Sequence, residues 1–198
     1  MQIENSPRRS NKSRTEETKA ALIKAARKLF VENGYAETST PEIVRAANIT
    51  RGALYHHFEH KEALFRAVVV AEFEKVASEI KKSATDEPQN AIEALIAGSH
   101  GFLDAMKDKG RVRLMLLDGP AVLGREAIDE IDRETSSDEL KIGLETAMQA
   151  GEFRALPLEE LTAQLSAMFD RAALGIANGD RKEDHIKVFQ AVFDGLKA

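Results

Sequence analysis

The 198-residue chain contains no cysteine and no tryptophan. Without thiols there is no disulfide framework, thiolate zinc site, iron–sulfur cluster or cysteine nucleophile. Long hydrophobic runs are missing too. No stretch approaches the roughly 18–20 apolar residues that a membrane span needs, and the basic start MQIENSPRRSNKSRTEE is not followed by the apolar segment of a secretory signal. A cytoplasmic protein with no membrane partner is therefore expected. No segment alternates apolar and polar residues between turn signals, so no strand is expected either. The fold class is all-α, and the length suffices for a real hydrophobic core.

Positive charge is also in short supply. The formal net charge is −5, which on its face argues against nucleic acid as a partner, because DNA affinity comes largely from Lys and Arg neutralising phosphates. The distribution reverses that argument. Residues 1–65 hold 11 Lys and Arg against 8 Asp and Glu, and residues 66–198 hold 17 against 25. A head of charge +3 thus precedes a body of charge −8. Arg8, Arg9, Lys12 and Arg14 face only Glu4 in a polar stretch, so residues 1–13 read as a disordered basic arm.

Helical periodicity dominates the remainder. Leu22, Ile23, Ala26, Leu29 and Phe30 mark a first helix that starts near Thr15 and stops at Asn33-Gly34. A second, short helix follows, capped by Ser39 with Glu42 or by Thr40 with Pro41. Thr50 can cap a third through Phe58, with Leu54 and Phe58 on one face. A long fourth helix runs from about Lys61 to Lys82. Further helices carry Ile92 to Met106, Val112 to Leu117 and Leu140 to Met148, and the acidic run Asp129, Glu130, Asp132 and Glu134 reads as a solvated face. In the last two helices, broad apolar faces nominate Leu161, Leu165, Met168, Ala172, Ile176, Phe189, Val192, Phe193 and Leu196 as the interface of a homodimeric four-helix arrangement, the alternative being burial of the same faces inside one protomer.

Residues 38–57 fit a helix-turn-helix, two short helices of which the second enters the DNA major groove. Thr50 and the free amides of the following turn suit a phosphate, and Gly52 permits close approach of the sugar-phosphate backbone. Arg51 supplies a fork for phosphate or for the O6/N7 edge of guanine. Tyr55, His56 and His57 extend that surface, and Thr40 and Lys61 flank it as phosphate clamps. Ile43, Leu54 and Phe58 are expected in the core.

Glu42-Ile43, Ala46-Ala47, Thr50-Arg51-Gly52-Ala53-Leu54-Tyr55-His56-His57-Phe58 and Lys61-Glu62-Ala63-Leu64-Phe65 resemble the N-terminal domain of TetR/AcrR-type transcriptional regulators over residues 14–65. The resemblance implies a helix-turn-helix DNA-binding domain at 14–62 and a larger helical effector-binding and dimerisation domain at 63–198. It implies DNA contacts from Thr40, Thr50, Arg51, Gly52, Tyr55, His56, His57 and Lys61, and a repressor that binds a palindromic double-stranded operator as a homodimer and is released by a small-molecule effector. Thr50-Arg51 stands where many members have Ser-Lys, and His56 where Tyr is also common. Candidate pocket residues are Phe73, His100, Phe102, Met106, Met115, Asp118, Met148 and Phe169.

The rival readings are a DNA-binding regulator without a ligand and a helical-bundle enzyme using His100, Asp104, Asp118 or Asp170, for which no convergent geometry is visible. His56 and His60 are four apart, but no carboxylate or thiol at suitable spacing completes a metal set. Neither a metal nor a cofactor is expected, and the chain reads as a regulator rather than an enzyme.

Overall fold

Caps and glycines set the element boundaries in the computed structural model, which describes residues 11–83, 88, 90–135 and 137–198. The helices are α1 (Asn11–Asn33), α2 (Thr40–Ala47), α3 (Arg51–His57), α4 (Lys61–Ser83), α5 (Ala91–Ala105), α6 (Lys109–Val112), α7 (Gly119–Leu123), α8 (Arg125–Thr135), α9 (Ser137–Gln149), α10 (Leu158–Ala177) and α11 (Lys182–Leu196). Among the described residues there is no strand, only an antiparallel bridge between Phe153 and Lys197. Arg8 and Arg9 of the expected basic arm lie outside the described residues. Asn11–Ser13, assigned to that arm from sequence, already belong to α1.

The chain divides into two compact units at Val68/Val69, a few residues beyond the expected 62/63, because Leu64, Phe65 and Val68 at the start of α4 are buried. Phe65 meets the ring of Phe30 edge-on at 5.1 Å and that of Tyr35 at 4.9 Å. Leu22, Ala26, Ile43, Leu54 and Phe58 complete this first core.

In the second unit, Leu95, Leu103, Leu144, Phe153, Leu165, Phe169, Phe189 and Phe193 form the centre. The same cluster takes in the residues nominated for the dimer interface. Leu165, Ala172, Phe189 and Phe193 are buried within the protomer itself, and Leu161, Met168, Ile176, Val192 and Leu196 pack half-buried against the same cluster. The broad apolar faces of α10 and α11 are covered by α5 and α9, which precede them in the chain.

Two features shape the middle of this unit. Arg111, almost fully buried, donates from Nε to Glu72 at 3.3 Å and from both terminal nitrogens to Glu79 at 3.0–3.1 Å. Burial disfavours its charge, yet the bonds and attraction of Glu79 and Glu72 hold its pKa above the ordinary value. Arg113–Asp118 then widen into a π-helical stretch, a geometry that brings residues five apart onto one face. Arg113 and Asp118 pair across it at 3.1 Å. Gly119 follows where a Cβ would lie 2.7 Å from the Leu114 carbonyl and 3.0 Å from Ile128, so only glycine lets α8 approach.

Candidate nucleic-acid interface

Local hydrogen bonding aims the second and third helices. Ser39, not Thr40, caps α2: its hydroxyl accepts from the Glu42 amide at 3.4 Å, and its own amide donates to the Glu42 carboxylate at 2.9 Å. This reciprocal box satisfies two otherwise orphaned amides. The bonds from Ser39 hold the Glu42 carboxyl below its usual range. Asn48 ends α2 with φ 54° and ψ 45°, a left-handed conformation that Asn tolerates better than most residues. The chain can then turn into α3, where Thr50 Oγ1 accepts from the Ala53 amide at 3.2 Å. The Thr50 hydroxyl proton remains available to a further acceptor.

On α3, Leu54 and Phe58 face the core while Arg51, Gly52, Tyr55 and His56 are exposed and His57 is half-buried. Tyr55 is 42% exposed. Hydrogen bonds with Thr40 and then Arg51, reinforced by the guanidinium charge, hold its hydroxyl below the usual phenol range. The Arg51 guanidinium also stands 5.6 Å from the Tyr55 ring centre. Thr40, Arg51 and Tyr55 thus form one connected polar surface bridging the start of α2 and the outer face of α3. The His56 and His57 rings meet edge-on at 5.3 Å. A Cβ on Gly52 would meet nothing within 4 Å, so the backbone there lies open.

Two residues have duties that spacing did not disclose. Lys61 donates to the carbonyls of Tyr35 at 2.9 Å and Thr38 at 3.0 Å, and its ammonium lies 4.2 Å from the Tyr35 ring centre. It ties down the α1–α2 loop, with one of its three donors left for a phosphate. His60 Nδ1 accepts from the Ala63 amide at 3.1 Å, which makes this histidine the cap of α4. The sequence signal was present, since His60 stands three residues before Ala63 at a helix start, but histidine is not among the usual capping types.

Residues 22–68 match the model of bacterial regulatory proteins of the tetR family, and residues 92–197 match the tetracyclin repressor-like C-terminal domain. The chain belongs to the TetR family. It is 25% identical over 184 residues to the Transposon Tn10 TetC protein of Escherichia coli, covering 91% of this chain and 92% of that one. The HTH-type transcriptional regulator UidR of E. coli K12 is 35% identical over 65 residues, a third of each chain. A TetR-family regulator from Pectobacterium atrosepticum superposes with TM-score 0.72 at 26% identity, covering 96% of this chain and 98% of the other. A putative tetR family regulator from Shewanella sp. PV-4 shares the fold with TM-score 0.75 at 19% identity, covering 91% and 98%. This TetR-family chain is therefore a DNA-binding transcriptional regulator, with an N-terminal helix-turn-helix domain followed by a helical C-terminal domain. No helix among the described residues is long and apolar enough to cross a membrane.

The C-terminal unit of the regulator holds a cavity of about 280 Å³ between α4, α5, α8, α9 and α10. Of the residues expected to line a pocket, Phe102 and Phe169 do so, their ring centres 5.6 Å apart. Phe73, Met106 and Met115 are instead buried core, Met148 packs half-buried against the central cluster, and His100 is exposed. Asp118 is turned to Arg113. Asp104 pairs with Lys107 and Lys182, each at 2.7 Å, and Asp170 with Arg125 at 3.7 Å, so the acids offered as enzyme candidates hold separate partners. Sequence reasoning missed Asp132 and Ser166, which line the cavity. Ile128 and Ile131, three apart and both buried, were the available sign that the acidic run is an amphipathic helix.

Proposed function

We propose that this regulator is a repressor that binds a palindromic operator as a homodimer, each protomer laying α3 in one major groove, and that a small molecule in the C-terminal cavity releases it. The exposed surface shared by Thr40, Arg51 and Tyr55, with Gly52 and His56 beside it and Leu54 buried behind, carries this reading. It joins a guanidinium fork, an open stretch of backbone and an aromatic hydroxyl on one side of a rigidly capped helix, which is the chemistry that duplex DNA requires.

The homodimer is supported by the outward side of the last two helices. Ala163 and Ala167 on α10, and Val188, Ala191 and Gly195 on α11, are exposed in the protomer, Val188 by 54%. Small residues allow two helix pairs to approach closely. The cavity favours an effector over a constitutive regulator, since it lies near the lower end of the roughly 300–1,000 Å³ typical of small-molecule sites. Ile80 and Lys81 of α4 line it, and the same helix begins in the DNA-binding unit. A ligand switches occupancy only if it binds the DNA-incompetent geometry more tightly than the competent one.

The decisive experiment recovers genomic fragments bound by the purified protein and titrates the operator by gel shift. Arg51→Ala should weaken operator binding by about 1–3 kcal/mol, and wild-type affinity in that variant would remove Arg51 from the interface.

A further inference from the structure

Around the cavity the hydrogen-bonding capacity is lopsided. Most of the wall is apolar, with Leu95, Leu140 and Ile142 beside the rings of Phe102 and Phe169. Lys81 is the one cation among the described lining residues, and its ammonium is committed to Glu139 at 3.1 Å. Ser99, buried on α5 three residues before Phe102, donates its hydroxyl proton to the Leu95 carbonyl at 2.7 Å. Ser166 of α10 donates its own to Asp132 at 3.4 Å. A serine hydroxyl has one proton and two lone pairs, and a carboxylate only accepts. With both protons committed inside the protein, the two serines present oxygen lone pairs to whatever enters.

Charge sets a second restriction. Glu139 is held by Lys81, and Asp132 is engaged by Ser166 and by a further interaction. An ammonium or a carboxylate drawn out of water to the Phe102 and Phe169 rings would meet no counter-ion that is not already engaged, a penalty that an uncharged molecule escapes. Room for the ligand is built in at Gly98, which lines the cavity beside Ser99 and whose absent Cβ would meet nothing within 4 Å.

We infer that the cavity takes a small uncharged hydroxyl compound, an alcohol or phenol whose hydrocarbon part lies against Phe102 and Phe169 and whose hydroxyl donates to Ser99 Oγ. The assignment rests on the effector role proposed above and gives it a ligand class.

Isothermal titration of the full-length protein with n-hexanol, the equally long methyl pentyl ether, n-hexylamine and n-hexanoate, at one pH where amine and acid are both ionised, tests it. The alcohol should bind about fivefold more tightly than the ether, the factor that one net hydrogen bond supplies. Both ions should bind more weakly than the alcohol. Ser99→Ala should lower the alcohol to the affinity of the ether and leave the ether unchanged. In that variant the amide of position 99 still donates to the Leu95 carbonyl within the helix, so α5 is retained. Gly98→Leu should fill the space and abolish binding of alcohol and ether, with the helical circular dichroism retained. Equal affinities for alcohol and ether, tighter binding of either ion, alcohol binding indifferent to Ser99→Ala, or no binding by any of the four overturns the assignment. Operator release is followed separately by gel shift. Hexanol that binds with the expected preference yet leaves the DNA complex intact overturns the effector role and leaves the ligand class standing.

Discussion

In the proposed DNA interface, Gly52 is a position that would serve binding at the expense of stability. It lies in the first turn of α3, exposed, with empty space where a Cβ would stand. Alanine there should stabilise the helix by up to about 1 kcal/mol, since glycine is the poorer helix former. The added methyl would occupy the path of the DNA backbone, so Gly52→Ala is expected to raise the thermal midpoint while weakening the operator complex on the order of 1 kcal/mol, about fivefold. Thermal melts and gel shifts on the same preparation check both signs. Asp170 is the converse case, a residue that costs stability where it stands. Its folded pKa is raised from 3.8 to about 7, so the folded state holds a proton that the unfolded chain gives up, and stability falls as pH rises between those values. Asp170→Asn should therefore be more stable than wild type above pH 7, by up to a few kcal/mol, with the difference fading as pH approaches 4. Urea titrations at pH 4.5 and 8 test this dependence.

At the scale of the elements, the caps explain why the helix-turn-helix is readable and rigid. Ser39 with Glu42, Asn48 and Thr50 each act within three or four residues of their own position, so their chemistry is written locally. The choice between Ser39 and Thr40 as the α2 cap was not, because both are capping residues and only the chain direction before Pro41 separates them. The contact between Arg111 and α4 is of another kind, since Arg111 and Glu72 stand 39 positions apart. Glu72 is completely buried and also pairs with Lys75 at 2.7 Å, so Arg111→Ala removes one cation partner and its charged hydrogen bonds but leaves another in place, a loss of about 1.5–3 kcal/mol. Urea unfolding followed by circular dichroism should show that destabilisation, whereas Lys81→Ala, which removes a largely exposed pair with Glu139, should change stability by less than about 1 kcal/mol.

At the scale of the molecule, the two sides of α10 and α11 do different work. Their inward residues hold the C-terminal unit together, and their outward residues are exposed in the protomer and are those proposed to meet a second copy. The proposed homodimer predicts that Val188→Asp yields a monomer while leaving the helical signal unchanged, because Val188, 54% exposed, contributes little to the protomer's own core. Light scattering coupled to size-exclusion chromatography measures it, and an unchanged mass would move the interface elsewhere. The charge division also belongs at this scale. A body of −8 is repelled by phosphate, so the basic head is the surface left to dock.

Much of this was determined by the amino-acid order alone. The all-helical class follows from periodicity, and the exposed polar face of the third helix follows from short-range patterns: Thr50 before Arg51-Gly52, Leu54 and Phe58 four apart, Tyr55 turned the other way. Capping, helical phase and residue type operate within one or two turns. Tertiary structure decided what lies across a gap in the sequence. It turned Leu165 and Phe193 inward beneath α5 and α9, committed Lys61 to the Tyr35 and Thr38 carbonyls, and carried Asp132, in a run that reads as solvated, to the wall of a cavity shared with Ser166 and Phe102. An apolar stripe announces that something will cover it, but which element arrives depends on how the whole chain packs.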